Sequence, residues 1–502
     1  MNDHDAAVKH IAAKVQGFHD RGVKFRIYHG STNSTRTSPY QKDKIIDTSQ
    51  LNHVLTVDKE KKTALVEPNV SMDVLLRETM KANLVPPVVM ELPGITVGGG
   101  FAGMSGESSS FKHGIFDCTI NSLEIVLANG SIVHASHTSN QDLFNGAAGS
   151  CGTLGVITLL ELQLIDAKKY VELSYHPVSS TKEAIEKSEE LMRDPSVEYI
   201  DAILFSSTSG VVMTGHLTDA PTPNTPIQTF LRRRDPWFYI HAQRLIARQR
   251  KKGEKSEPAR VAIPLPDYFF RYDRGAFWGG LHAFKYFMTP FNRITRYLLD
   301  HFMHTRVMFH AFHAAGLGDQ TIVQDVAVPL SKVEEFVKYL DDSLGSWPLW
   351  LCPVRGTSPS HPDRQSFSQG TRVKGDQLLM NVGVWCMGPK DYAKFVSMNR
   401  DIEAEVEKLG GLKCLYAHAY YTEEEFWKIY DREWYEELRK KYGAEGLPSV
   451  YDKVISKPRE TGDKGKKTLV RRVKSRVWGT WPISGLYGVY KAAFGGEYLL
   501  KR

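Results

Sequence analysis

Glycine and small polar residues gather in three stretches of the first third of the chain, Tyr28 to Thr35, Thr96 to Ser110 and Gly146 to Gly155. Such stretches offer many backbone N–H groups with little side chain in the way, which is what wrapping a pyrophosphate closely requires. They point to a dinucleotide, and their spacing points to FAD. The middle stretch satisfies G-x-G-x-x-G at Gly98, Gly100 and Gly103. A doubly wound nicotinamide-binding fold needs a buried strand before those glycines and a helix after them. Here Glu91-Leu92-Pro93-Gly94 precedes and a Ser/Gly-rich run follows, so that fold is disfavoured. A glycine-rich turn without a ligand accounts for one such stretch, but it must also explain the second, Gly146-Ala147-Ala148-Gly149-Ser150-Cys151-Gly152-Thr153-Leu154-Gly155.

Coarse patterning is mixed. Ala64 to Pro68 reads as a short strand, after which Ser71 can cap a helix running through Val74-Leu75-Leu76 to Met80. Leu123 to Ala128 and Ser131 to Ala135 flank Asn129-Gly130, a hairpin signal in which both turn positions need positive φ. Val156 to Leu164 reads as a core strand. Pro389 to Leu409 reads as a helix ending at Gly410-Gly411, and Thr422-Glu423-Glu424-Glu425 as a capping box opening a helix that stops near Gly443. Between them Leu415 to Tyr421 reads as a strand ending in polar rings. The pattern is α+β, without the regular alternation of a doubly wound sheet.

A chain of 502 residues has room for two or three domains. Its five cysteines, Cys118, Cys151, Cys352, Cys386 and Cys414, are scattered without CxxC pairs or close His partners, which argues for a reducing compartment and against a disulfide scaffold or a zinc site. No signal-peptide pattern and no apolar run of membrane-spanning length is evident, so an intracellular protein is expected. From Lys457 to Arg502 there are twelve Lys and Arg against three Asp and Glu, a local balance of +9 in a chain of net charge +7. Trp478, Trp481, Leu486, Tyr487, Tyr490, Phe494, Tyr498 and Leu499 lie among those cations, a mixture suited to an anionic membrane surface or, equally, to a solvated tail. Nucleic-acid binding is disfavoured, because no recognised module accompanies the charge. A second basic cluster, Arg232 to Lys255, follows a Pro/Thr-rich run and reads as an exposed insertion near 218–262. Aromatic clusters at Trp237-Phe238-Tyr239, Tyr268-Phe269-Phe270, Phe277-Trp278 and Tyr286-Phe287 read as core, some of it able to line a cavity for a large, flat, apolar ligand.

Thr96-Val97-Gly98-Gly99, Glu107 to Gly114, Leu127-Ala128-Asn129-Gly130-Ser131, Asp142-Leu143-Phe144 and Ser150 to Gly155 together resemble the FAD domain of the vanillyl-alcohol oxidase superfamily. Within it they resemble the delta-24 sterol reductase branch. The resemblance continues through Ile165 to Tyr170, Val212 to Gly215, Val323 to Pro329, Trp350-Leu351-Cys352-Pro353 and Glu424-Glu425-Phe426-Trp427. It implies a two-subdomain PCMH-type FAD-binding domain over 1–168, an α+β substrate or cap domain over 169–455, and a basic aromatic tail over 456–502. It also implies that Arg26, His29, Gly30, Ser31, Thr32, Thr96, Val97, Gly98, Gly99, Gly100, Gly103, Met104, Ser105, Gly106, Ser108, His113, Gly152, Gly155 and Ile157 contact FAD. Many relatives tether flavin through a His in an Arg-Gly-Gly-Gly-His-Ser-like loop. Here the run is Arg26-Ile27-Tyr28-His29-Gly30-Ser31, with Gly30 at the place of that His, so noncovalent FAD is expected, although His29 is adjacent. The branch's membrane-anchored members carry an N-terminal apolar segment, whereas this chain is expected to begin close to its first strand, and a peripheral position near the endoplasmic reticulum membrane follows.

An isolated alkene has no carbonyl to polarise it, so its reduction combines a proton delivered to the less substituted carbon with a hydride from flavin delivered to the other. NADPH is the donor that the resemblance implies. The protein must then supply a positioned acid and a dry apolar slot. Tyr420 and Tyr416 are the candidate acids or relay members, with Asn381 to position a flavin edge or water. Two other readings stay open: a flavin oxidase or dehydrogenase of a small alcohol, sugar or lactone, and a flavin- or lipid-binding protein without turnover.

Overall fold

The computed structural model describes residues 2–30, 34–35, 40–252, 257–371, 373, 377–456 and 481–495. A 19-residue helix, Asn2–Asp20, precedes the first strand, so the fold does not start at the strand. Val8, Ile11, Val15 and Phe18 recur at helical spacing and are all buried, the single stripe by which an amphipathic helix docks. The strand Arg26–Tyr28 then pairs in parallel with Ile45–Asp47. A five-stranded antiparallel sheet follows in the order Val54–Asp58, Thr63–Val66, Val156–Gln163, Ile120–Val126, Ile132–Ser136.

Two local expectations are corrected here. The hairpin at Asn129-Gly130 forms, but only Gly130 has positive φ (+82°), because the connection is longer than a two-residue turn and closes through a Leu127 N–H to Ser131 C=O bond of 2.8 Å. Ser71 precedes the helix Met72–Met80 without capping it. Its hydroxyl donates to Asp73, whose carboxylate also accepts the Val74 N–H and is clamped by Arg306, so the local acceptor is the aspartate.

The second sheet has eight antiparallel strands in the order Ala259–Pro264, Tyr170–Val178, Ser209–Thr218, Tyr199–Ser206, Leu349–Arg355, Leu378–Met387, Thr321–Pro329, Leu412–Lys413. Its central strands alternate with period two, as a pleated strand must when its faces meet different surroundings. Ile322, Val326 and Val328, Leu349 and Leu351, and Met380, Val382 and Val384 enter one core, covered by the helices Thr181–Leu191, Val333–Leu344 and Tyr392–Lys408. The helix Val333–Leu344 presents Val333, Phe336, Val337 and Leu340 to it, the i, i+3, i+4, i+7 stripe. The residues between, among them Val323, Asp325, Ala327, Trp350, Val354, Asn381 and Trp385, face the other way and line a cavity.

Towards the C-terminus the helix expected over Pro389 to Leu409 runs Tyr392–Lys408, capped by the Asp391 carboxylate. The capping box at Thr422 is present, but the helix ends at Ile429 and a second one, Arg432–Lys441, starts after Asp431, which caps it. Leu415 to Tyr421 is not a strand: ladder pairing stops at Lys413, opposite Val326, and beyond it Ala419 makes a single bridge with Ile455. The basic insertion is not simply exposed, because its helix Phe238–Lys252 buries Phe238, Tyr239, Ala242 and Ile246. Among the described residues no helix is long and apolar enough to cross a membrane.

The helix-covered core makes a direct demand. Phe336→Ala is expected to lower stability by about 3–5 kcal/mol, read as a fall in chemical-denaturation free energy, since it empties a fully buried site with closely packed neighbours.

Candidate functional site

A cavity of about 900 Å³ lies between the glycine-rich stretches and the free face of the eight-stranded sheet, at the upper end of the range of ligand pockets. Its first wall is held together by backbone. Thr96 caps a short helix, Val97–Ala102, its hydroxyl accepting the Gly99 N–H at 3.1 Å. The third stretch is zipped to this helix by Gly149 N–H to Phe101 C=O (3.1 Å) and Cys151 N–H to Ala102 C=O (3.0 Å). The glycines divide their work. A Cβ on Gly98 would stand 2.8 Å from Pro68, and one on Gly100 2.4 Å from Met90, so these two are required for internal packing. A Cβ on Gly99 would meet only the Thr96 hydroxyl, at 3.0 Å.

Of the residues expected to contact FAD, Arg26, His29, Thr96, Gly98, Gly99, Gly103, Met104, Ser105, Gly106, Gly152 and Ile157 line the cavity. Ser31 and Thr32 lie outside the described residues. Val97, Gly100 and Gly155 sit behind the wall, with Val97 fully buried and a Gly155 Cβ only 2.7 Å from the Val126 carbonyl. Gly30 makes the turn that follows the first strand, at φ +82°. Ser108 is turned to the Tyr268 hydroxyl (3.2 Å), and His113 faces Glu198 (3.8 Å), so neither belongs to the lining.

His29 is the clearest polar group at this end. Burial, reinforced by the Lys453 cation, lowers its pKa to about 4, so the ring is neutral at physiological pH. Its buried Nδ1 has no hydrogen-bond partner among the described residues, a vacancy that a polar ligand group would fill. Lys453 donates to the Cys151 carbonyl at the same end.

The opposite wall is aromatic and apolar. Phe277 and Trp385 have ring centroids 4.1 Å apart, and Trp350 stacks beside Trp385 at 6.0 Å. A third side is formed by the helices Gly279–Tyr286, Thr305–Ala315 and Ile483–Phe494, which contribute Tyr286, Met308, Phe312 and Val489. Within this setting sits one polar cluster. Asp325 accepts from the Tyr416 hydroxyl at Oδ2 and from Asn381 Nδ2 at Oδ1 (3.1 Å). Burial pushes its carboxyl up to about 6 in spite of both bonds. Glu91, on the glycine side, is raised well above the usual range by burial and by the nearby Glu107 and Asp325 carboxyls. Tyr416 is raised by burial and by Asp325, so its phenol stays protonated.

Tyr416 and Asn381 are therefore brought together at the cavity, and Tyr420 is not. Tyr420 lies in the helix-side core, stacked on His418 and facing Phe395, with its N–H on Glu403. The irregular path after Lys413 carries it behind the sheet, which an alternating strand would not have done. Asp325 and Glu91 escaped the sequence reading. The signal for Asp325 was a lone acid in Val323-Gln324-Asp325-Val326-Ala327-Val328, on an odd-numbered face otherwise made of Val323 and Ala327.

The donor set fits an FAD. It provides a backbone-lined wall, an unpartnered imidazole nitrogen and a cation at one end, and aromatic walls at the other. A family model described as an FAD binding domain matches residues 6–136. Cytokinin dehydrogenase 4 of Oryza sativa subsp. japonica is 32% identical over 157 residues, covering 31% of this chain and 29% of that protein. Delta(24)-sterol reductase of Arabidopsis thaliana is 30% identical over 453 residues, covering 84% of this chain and 77% of that protein. That of Mus musculus is 30% identical over 476 residues, covering 91% and 87%.

Gly99→Asp is expected to leave the fold intact and to reduce FAD occupancy, measured as visible absorbance per protein, because the added side chain meets only the Thr96 hydroxyl and stands at the cavity lining, not in packed core. Gly100→Val is expected to lose thermal stability instead, by overpacking against Met90 and Phe116. Both the cofactor wall and the length of the likeness place the chain in the delta(24)-sterol reductase family of FAD-binding proteins.

Proposed function

We propose that this protein reduces the delta-24 side-chain double bond of a sterol or related terpenoid, with FAD as cofactor and NADPH as electron donor. The observation that carries the reading is the joining, in one cavity, of a backbone-lined cofactor wall to an aromatic wall that holds the Asp325–Tyr416 proton-bearing pair. Residues 1–168 hold most of the cofactor wall and 169–455 shape the substrate side. When bound, FAD supplies hydride transfer to carbon. The chain supplies the rest: Trp350, Trp385 and Phe277 exclude water and seat an apolar skeleton, while Tyr416 presents a protonated phenol. Asn381 holds the Asp325 carboxyl beside that phenol. An oxidase of a small alcohol or sugar needs polar substrate contacts, and around the Asp325–Asn381 pair the sheet side of the cavity presents Val323, Ala327, Val354 and the two tryptophans.

The C-terminal helix Ile483–Phe494 supports a peripheral membrane position, of the endoplasmic reticulum type, for the same reading. Gly485 and Gly488 face inward, where a Cβ would stand 2.4 Å from Tyr286 and from the Ala311 carbonyl. Leu486, Tyr490 and Phe494 face outward, with Phe494 80% exposed, and Lys491 accompanies them. The remaining tail expected to share this contact, including Trp478, lies outside the described residues.

Two outcomes are expected. Anaerobic NADPH bleaches the bound FAD, and a delta-24-unsaturated sterol restores the oxidised spectrum while yielding its saturated product; a bleached FAD that no sterol reoxidises overturns the reductase reading. The double variant Leu486→Ser, Phe494→Ser is expected to bind anionic phospholipid vesicles more weakly than the unsubstituted protein in sedimentation, and equal binding overturns the helix as the contact.

A further inference from the structure

Asp325 is half-buried in the cavity wall, hydrogen-bonded to two neutral donors and to no cation among the described residues. Its register partner is Gly383, where a Cβ would stand 2.5 Å from the Trp385 ring and 3.1 Å from the Asp325 carboxyl oxygen, so the glycine leaves room for both side chains. Stabilising a permanent carboxylate there calls for an arginine or lysine. Lys413, the cation on the adjoining strand, is spent elsewhere, on Glu403 and the His418 carbonyl. The titratable groups facing Asp325 are Tyr416 and Cys414 from the segment after the edge strand and Glu91 from the glycine side, and each is held towards its neutral form, chiefly by burial.

We propose that Asp325 is the proton store of the reaction, a positioning residue that recharges the Tyr416 phenol as that phenol protonates the side-chain alkene. The inference rests on the alkene-reducing reading above and assigns the acid within it. The alkene π pair takes the Tyr416 proton and a C–H bond forms. The phenolic oxygen recovers a proton from Asp325, and the carboxylate left behind is reprotonated from water. FAD held at the glycine wall and reduced by NADPH would supply the hydride that the cationic carbon takes, so that two electrons pass from NADPH to the alkene and charge balances. A phenol alone is a weak donor to an alkene; coupled to a carboxyl that titrates near the working pH it leaves no lasting phenolate.

Asp325 is protonated below about pH 6 and ionised above it, so the proton-delivery step is fast on the acid side and slows, in proportion to the protonated fraction, as pH rises through that value. The test uses the FAD-loaded full chain and its Asp325→Asn and Tyr416→Phe variants. In Asp325→Asn, NADPH is expected to reduce the FAD at the unsubstituted rate, whereas reoxidation by a delta-24-unsaturated sterol slows on the order of 10²-fold and loses its pH dependence between pH 5 and 8. Difference infrared spectra of the protein without substrate are expected to show a protonated carboxyl band titrating near pH 6, retained in Tyr416→Phe and missing in Asp325→Asn. A variant Asp325→Asn that keeps the unsubstituted sterol rate and pH profile overturns the assignment, as does a carboxyl band titrating near pH 6 that survives the substitution. An unsubstituted protein that reduces no sterol, yet shows the Asp325 band, overturns the reductase reading and the step built on it, a failure distinguishable from the first two.

Discussion

The two-faced character of the eight-stranded sheet is the constraint on which the rest depends. Each central strand sends alternate side chains to a helix-covered core and to the cavity, and the two sets differ in kind. Ile322, Val326, Leu351 and Val382 are interchangeable in chemistry and serve packing. Val323, Asp325, Trp350, Asn381 and Trp385 are individual in size and polarity. A slip of one residue would exchange the sets, burying Asp325 and Asn381 among aliphatic side chains and opening the aliphatic residues to the cavity. Nine consecutive register pairs from Thr321↔Met387 to Pro329↔Leu379 oppose that slip, and Leu349 and Leu351 of the next strand share the same helix-side core.

The opposite wall is built on another principle. There the chain contributes backbone, and side chains are small because space is needed in two directions. Gly98 and Gly100 are glycines because the protein's own Pro68 and Met90 occupy the place of a Cβ. Gly99 faces the other way, where only Thr96 is near. Two stretches far apart in sequence become one surface through the bonds from Gly149 and Cys151 to Phe101 and Ala102. The result is a wall of fixed dipoles with few ionised groups, at which a neutral His29 and the Lys453 cation set the local charge. Such a wall favours an anionic ligand at one end of the cavity without placing charge at the apolar end.

Much of this was legible in sequence. Glycine stretches marked one wall of the cavity, the Thr422 box and Asp391 region marked helices, and the aromatic clusters marked a large apolar interior. What escaped followed from tertiary choices that local pattern does not encode. Tyr416 and Tyr420 are four residues apart in one polar, aromatic run, yet one faces the cavity and the other the helix-side core, because the chain abandons the ladder after Lys413. Ser108 and His113 lie in the stretch that carried the resemblance, but their partners, Tyr268 and Glu198, come from later segments that only folding brings near. Asp325 was hidden for the opposite reason: its strand is so regular that the acid looked like an interruption, when its position on the odd face was the information.

The C-terminal helix ties these arguments together. Its inward glycines seat it against Thr305–Ala315 closely enough that a Cβ at Gly488 would press into the Ala311 carbonyl, and its Val489 forms part of the cavity lining. Trp481 anchors its start by donating to the Tyr286 carbonyl at 2.6 Å. The same helix therefore carries apolar side chains on both sides, some to the cavity and some to the exterior. Contact between Leu486, Tyr490 or Phe494 and a lipid surface would bear directly on a wall of the substrate space, through packing that leaves no slack at Gly485 and Gly488. In a reductase of an apolar lipid, that arrangement makes a wall of the cavity and a row of exposed apolar side chains two faces of one element.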